Sequence, residues 1–267
     1  MPVYKIRALW FFGIGALLLR IILALSLEGY QVDMGCFKSW AIHAAEKNLF
    51  GFYSGEIFAD YPPGYIYVLY GLGQLRALFS LDYHSPLFNL LVKLPSILTD
   101  IATSLIIFQM VGKRLGKRAA FLLAVLYAFN PAVLVNASLW GQVDSFFTFF
   151  ALLSMIFLIR EKIGRASVLL AMSFLIKPQA VFLGPVFLAV LLSRRRWQDL
   201  LKAVLLGLTT FLLLVLPFSS LEDPFWIFRL YSSTVGQYPY ASLNAFNFFA
   251  LMGGSWKNVH EAFVLFS

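Results

Sequence analysis

The chain has 267 residues, of which 60% are hydrophobic, 17% aromatic and only 13% charged, with a mean hydropathy of +0.80. Soluble domains run at about 45–50% apolar and about 25% charged, so a soluble globule of this size is excluded. The same numbers exclude a disordered chain, and the long unbroken apolar runs exclude a transmembrane β-barrel, whose strands alternate polar and apolar residues. The composition predicts an all-α, polytopic transmembrane helical protein.

The net charge of +8 is not a nucleic-acid footprint, because the basic residues sit in short clusters between apolar segments. That is the pattern of cytoplasmic loops under the positive-inside rule. One cysteine, Cys36, allows no internal disulfide and no cysteine metal site. His43, His84 and His260 are scattered, and His260-Glu261 lacks the second histidine of a metalloprotease motif. No carboxylate pair stands out, so neither a divalent metal nor another cofactor is expected.

The first apolar run, Ala8–Leu27, follows Lys5 and Arg7 and is long enough to span a bilayer. It predicts an uncleaved first helix with its N-terminus in the cytoplasm, because a signal peptide has a shorter apolar core. Arg20 within it either snorkels to the interface or serves a function. Later apolar segments are Pro86–Val111, Ala119–Leu139, Ser145–Ile159, Ala166–Ile176, Ala180–Leu192 and Leu200–Phe218. Gly64–Phe79 is apolar but short and rich in Tyr and Gly.

Parity decides how Gly64–Phe79 lies. Thirteen of the 21 Lys and Arg fall in four clusters: 5–7, 113–118, 160–165 and 194–202. If Gly64–Phe79 stays on one side, all four clusters face the cytoplasm, and only Glu161 and Asp199 of the 13 acids join them. If it crosses, three clusters face outward, against the rule. The expectation is seven spans and a first extracytoplasmic loop over residues 28–85, with Gly64–Phe79 as an interfacial or re-entrant helix. A second outer loop covers residues 219–244, all within one domain of residues 1–267.

Ala166–Ile176 and Ala180–Leu192 are each too short for a full crossing of about 20 residues. Reading them as one bent span would separate the 160–165 and 194–196 clusters. Two short helices turning at Lys177-Pro178-Gln179 fit better, with the turn sunk to membrane depth. Irregular backbone is tolerated there only beside a buried or watery cavity, which marks a site.

Ionisable residues away from the cytoplasmic loops are the functional candidates. Asp33 opens a segment with Met34, Phe37, Ala41 and Ala44 at helical spacing, so it is either an N-cap or a chemical group. Asp60-Tyr61-Pro62-Pro63 stiffens the start of Gly64–Phe79, where Asp60 suits a cap or turn. Trp140-Gly141-Gln142-Val143-Asp144-Ser145 follows Asn130-Pro131; Trp140 suits an interfacial anchor and Asp144 a helix cap. Lys93 and Asp100, seven apart on one helical face, suggest a structural ion network. Lys177 at the sunken turn, and Arg229, Tyr231, Tyr238 and Tyr240 after Phe218, suit an anionic headgroup or phosphate. Asn136-Ala137-Ser138 matches a glycosylation sequon but lies too near the membrane for use.

With those residues in view, the chain resembles the GT-C class of polyprenyl-phosphate-dependent membrane glycosyltransferases. The likeness is to bacterial relatives of the second GPI mannosyltransferase and of the dolichyl-phosphate-glucose- and mannose-using transferases. It rests on Asp33, Asp60-Tyr61-Pro62-Pro63, Lys93 to Asp100, Asn130-Pro131 with Trp140–Ser145, Lys177-Pro178-Gln179 and Ser242–Asn247, in that order. The resemblance implies inverting transfer of a hexose, mannose or glucose, from a polyprenyl-phosphate sugar to a glycan, glycolipid or protein acceptor outside the cytoplasm of a bacterial inner membrane. It implies Asp33 as general base, since partial desolvation makes a carboxylate a better proton acceptor from a hydroxyl. The phosphate leaving group calls for cations, so Lys177 and Arg229 are expected to bind it. Asp60, Tyr61, Trp140, Gln142, Asp144 and Gln179 are expected to line the sugar or acceptor pocket. Relatives carry further spans where this sequence reaches Phe263–Ser267, so the chain is read as a fragment or a minimal member.

Two other classes are compatible with a bilayer protein of this composition. A transporter or lipid flippase would also need cations and midplane polar groups, but it usually shows two similar halves, and no internal repeat is found here. A non-catalytic subunit of another membrane enzyme would be indifferent to loss of the Asp33 carboxylate.

Overall fold

A computed structural model describes residues 3–55, 57–220, 223–236, 238–243, 245 and 247–258, with backbone alone for 3–11 and 235–236. The basic pair Lys5 and Arg7 therefore lies where only backbone is described. His260, Glu261, Phe263–Ser267 and parts of the Ser242–Asn247 motif lie outside the described residues. The chain divides into two compact units, Met1–Ser220 and Leu221–Ser267.

The first unit is helical throughout its described regular structure. Its helices are α1 (Val3–Ser26), α2 (Gln31–Gly51), α3 (Pro63–Leu78), α4 (Pro86–Arg114), α5 (Gly116–Ala128), α6 (Pro131–Leu134), α7 (Asp144–Ile159), α8 (Ile163–Ile176), α9 (Gly184–Ser193) and α10 (Trp197–Val215). A π-helical turn, Val135–Trp140, extends α6, and 3-10 turns cover Pro178–Leu183 and Leu216–Phe218. The second unit holds α11 (Trp226–Gly236) and α12 (Phe248–Leu251).

Every apolar segment expected from the sequence forms helix. By length and composition, Pro86–Arg114 and Trp197–Phe218 can cross a membrane. Two bent pairs would raise that to four: Phe12–Ser26 with Gln31–Gly51, at 96°, and Gly116–Ala128 with Pro131–Trp140, at 46°. The expected continuous run Ala119–Leu139 is thus broken. Pro131 has no N–H to continue the ladder, and Asn130 restarts it by accepting from the Ala132 N–H at 2.9 Å.

Three contacts tie α1 and its connection to α2 to the rest of the bundle. Gly29 turns the chain sharply from α1 into α2 with φ +100°, and a Cβ there would stand 2.6 Å from the Trp140 carbonyl oxygen. Only glycine suits that backbone and that approach. Lys93 of α4, fully buried, donates to the carbonyls of Ala24 at 3.2 Å and Leu27 at 2.7 Å, capping the end of α1. It makes no network with Asp100, as the spacing had suggested. Asp100 instead faces Arg20 at 3.6 Å, both with no exposure, and accepts from the Tyr127 hydroxyl at 3.2 Å. Arg20 therefore does not snorkel: a buried acid from α4 holds it inside the bundle.

The α2 face of Met34, Phe37, Ala41 and Ala44 is buried as its spacing predicts. α3 lies against it, with Gly73 so close to Ala41 that no side chain fits between them. Ser154 of α7 donates to the Ala166 carbonyl of α8 at 2.7 Å, and α10 packs mainly on α8. α8 stops at Lys177, whose backbone is extended (φ −151°, ψ 124°), because the following Pro178 disfavours helical geometry before it. The 3-10 turn and α9 follow, as the two-helix reading of this region expects.

Candidate active site

The connection after α1 and the segment between α6 and α7 meet at Asp33. Asp33 lies in the first turn of α2, and the residue before that helix, Tyr30, makes no side-chain cap. The carboxylate is therefore not an N-cap. Its Oδ2 accepts from Trp140 Nε1 at 2.7 Å and from Gln142 Nε2 at 2.5 Å. Its Oδ1 has no hydrogen-bond partner among the described residues, and the side chain is half-buried.

Local structure explains why Trp140 and Gln142 both reach one oxygen. The π turn closes its hydrogen bonds over one more residue than an α-helix does and ends at Trp140, a distortion common at functional sites. Gly141 then reverses the backbone at φ +92°, packed so tightly on Met34 that a Cβ would collide with its sulfur. The N–H groups of Gly141 and Gln142 both bond the Asn136 carbonyl, at 3.1 and 3.0 Å. Ser96 of α4 donates to the Gln142 carbonyl at 2.8 Å, which fixes the other side of the segment. Tyr30 completes the frame. Its N–H bonds the Trp140 carbonyl at 2.9 Å, and its ring lies 4.9 Å from the indole.

Two residues further on, Asp144 begins α7 without capping it. Asp144 pairs through Oδ1 with the Lys177 ammonium, and its Oδ2 accepts from Asn136 Nδ2 at 3.1 Å. Lys177 is 14% exposed and Asp144 42%, so the pair opens at its acidic side. The ammonium also lies 5.9 Å from the ring centres of both Tyr61 and Phe147, within cation–π reach.

Tyr61 links the two carboxylates. Its ring packs on Phe37, Trp40 and Tyr65. Burial raises its phenol well above the usual tyrosine range, and the charges of Asp144, Asp33 and Asp60 push the same way. Burial likewise raises the Cys36 thiol, with Asp60 and Asp33 adding to it. Asp60 thus shares the neighbourhood of Asp33 and Tyr61; the cap of α3 is Pro62.

The structure gathers Asp33, Asp60, Tyr61, Trp140, Gln142, Asp144 and Lys177 around one point of the first unit. Gln179 is exposed on the 3-10 turn and has no side-chain hydrogen bond to this group among the described residues. Arg229 belongs to the second unit, where it pairs with Asp223. Sequence reading missed Asn136 as a site residue and read it as half of a sequon. Ser138 of that sequon is fully buried, which bars modification in the fold. No group of three or more His, Cys, Asp or Glu among the described residues is arranged to hold a metal ion.

Residues 89–220 match the family model of dolichyl-phosphate-mannose-protein mannosyltransferases. The match points to a glycosyltransferase. Together with the apolar helices it points to an integral membrane protein. Trp140, Gln142, Asp144 and Lys177 lie inside the matched stretch, just under half of the chain, whereas Asp33 and Asp60 precede it. No curated protein matches the chain.

Proposed function

We propose that this protein transfers a hexose, mannose or glucose, from a polyprenyl-phosphate sugar to a glycan, glycolipid or protein acceptor, with inversion at the anomeric carbon. The observation that carries the reading is the Asp33 carboxylate, one oxygen held by Trp140 and Gln142 and the other without a hydrogen-bond partner among the described residues. Asp33 Oδ1 takes the proton of the acceptor hydroxyl as its oxygen attacks the anomeric carbon. The bond from that carbon to the phosphate oxygen breaks, and polyprenyl phosphate leaves. A phosphate leaves without a general acid once a cation meets its charge, which is the role assigned to Lys177. With the charge met by side chains, the reaction runs without a divalent metal.

The lipid part of the donor has a surface suited to it. An apolar cleft of about 480 Å³ opens between α8, α9 and α10, walled by Phe174, Ala180, Val181, Phe187, Leu208 and Phe211. Ala180 and Val181, in the turn that follows Lys177, form part of its wall. In this reading the protein has seven spans in a bacterial inner membrane, with the N-terminus in the cytoplasm and Asp33 outside.

Membrane vesicles containing the full chain, supplied with polyprenyl-phosphate mannose or glucose, test the activity. Hexose appears in a cell-envelope acceptor by mass spectrometry, and EDTA leaves the rate unchanged. Absence of transfer from both donors, with the protein folded, contradicts the reading.

A further inference from the structure

The α8–α10 pair has a second cleft on its opposite flank. It encloses about 790 Å³ and is walled on the apolar side by Phe157, Val168, Leu169 and Leu206. At its mouth stand three cations, Lys162, Arg165 and Lys202, and one acid, Glu161. Glu161 faces Arg196 at 3.6 Å, so an arginine outside the cleft meets its charge. Nothing in the reaction proposed above uses these groups.

The cleft is built into the packing. Gly164 lets α8 approach α10 closely: a Cβ there would stand 2.8 Å from Leu206 Cδ1 and 3.2 Å from Lys202 Cε. That approach closes the floor and lays the Lys202 stem along it. The Arg165 guanidinium sits 5.6 Å from the Phe157 ring centre, a stacked position that carries the charge at the rim. Gly164, Arg165, Val168 and Leu169 fall on one face of α8, so the wall runs from charge at the helix start to hydrocarbon along the helix.

Cations that serve only to orient helices need no cavity and no apolar track beneath them. A basic mouth above an apolar track matches one class of molecule, a phospholipid with an anionic headgroup. We propose that this cleft binds an anionic phospholipid, its phosphate held by Lys162, Arg165 and Lys202 and an acyl chain lying on Val168, Leu169 and Leu206. The site stands apart from the Asp33 cluster and does not depend on the reaction assigned to it.

The test is native mass spectrometry of the full chain in detergent, with phosphatidylglycerol and phosphatidylcholine of identical acyl chains added in equal amounts. The wild type retains phosphatidylglycerol in preference. K162Q/R165Q/K202Q loses the preference, at about fivefold per charge removed. K113Q/R114Q/K117Q, in a basic cluster outside the cleft, keeps it. Val168→Trp, which fills the track and leaves every cation, lowers retention of phosphatidylglycerol. Should the triple variant fail to fold, Lys202→Gln alone reads the loss at about fivefold. Equal retention of both lipids by the wild type overturns the proposal, as does an equal loss in the two triple variants.

Discussion

Trp140 donates its indole N–H to the Asp33 carboxylate at 2.7 Å across 107 residues of sequence. Gln142 reaches the same oxygen, Oδ2, at 2.5 Å. Two donors on one oxygen fix the plane of the carboxylate and leave Oδ1 without a hydrogen-bond partner among the described residues. A base held this way meets an acceptor hydroxyl without first losing rotational freedom.

Removing either donor therefore weakens catalysis more than binding. Trp140→Phe keeps a ring against Tyr30 and deletes the N–H, and Gln142→Met keeps the length and deletes the amide. A hydrogen bond to a charged group is worth about 1.5–3 kcal/mol, so kcat falls by roughly 10–100-fold in each variant, with KM nearly unchanged. Wild-type kcat in both variants would show that the two side chains do not position the base.

Lys177 is tied to Asp144, whose other oxygen Asn136 holds. Loss of the cation acts on the donor. Lys177→Met raises KM for the polyprenyl-phosphate sugar by roughly tenfold or more, and Lys177→Arg recovers part of the loss. The acceptor KM stays level. A rise confined to the acceptor would move Lys177 out of the phosphate role.

Arg20 and Asp100 form a buried pair joining α1 to α4. Asp100→Ala leaves an uncompensated buried guanidinium and costs about 3–5 kcal/mol, read as a fall in Tm. Arg20→Met with Asp100→Leu removes both charges and regains most of that Tm. A double variant as unstable as the sum of the single ones would contradict a directly coupled pair.

Tyr61 gives the fold an alkaline limit. Burial and three nearby carboxylates raise its phenol in the folded state above the unfolded value of about 10. The stability held by the neutral phenol is complete below that unfolded value and is lost as pH rises through the raised folded one. Thermal melts between about pH 8 and 12 should show a shallower alkaline decline for Tyr61→Phe than for the wild type. Identical slopes would place the phenol in water.

Much of this arrangement was legible in the sequence because polar residues are scarce in an apolar chain. Asp33, Asp60, Gln142, Asp144 and Lys177 stood out as charges and amides outside the basic loops, and they converge in the fold with Trp140. Their pairings were not legible. Trp140 and Gln142 looked like pocket lining or an interfacial anchor, yet they hold the carboxylate. The π turn that ends at Trp140 has no signature in hydrophobic periodicity. Lys93 and Asp100 share a helical face, but Lys93 caps the end of α1 while Asp100 meets Arg20 of α1 and Tyr127 of α5, and helix packing alone decides that. Asn136 hid inside a sequon. Hydropathy placed the helices well and the break at Asn130-Pro131 poorly, since a bend of 46° leaves composition unchanged.

The most direct test of the central claim is hexose transfer by Asp33→Asn in reconstituted vesicles, beside the wild type at matched protein and with equal Tm. Asparagine keeps the shape and can still accept from Trp140 and Gln142, but it cannot take a proton. Loss of a general base predicts a fall of at least about a hundredfold in kcat with donor binding retained. Transfer within a few fold of wild type would contradict Asp33 as the base.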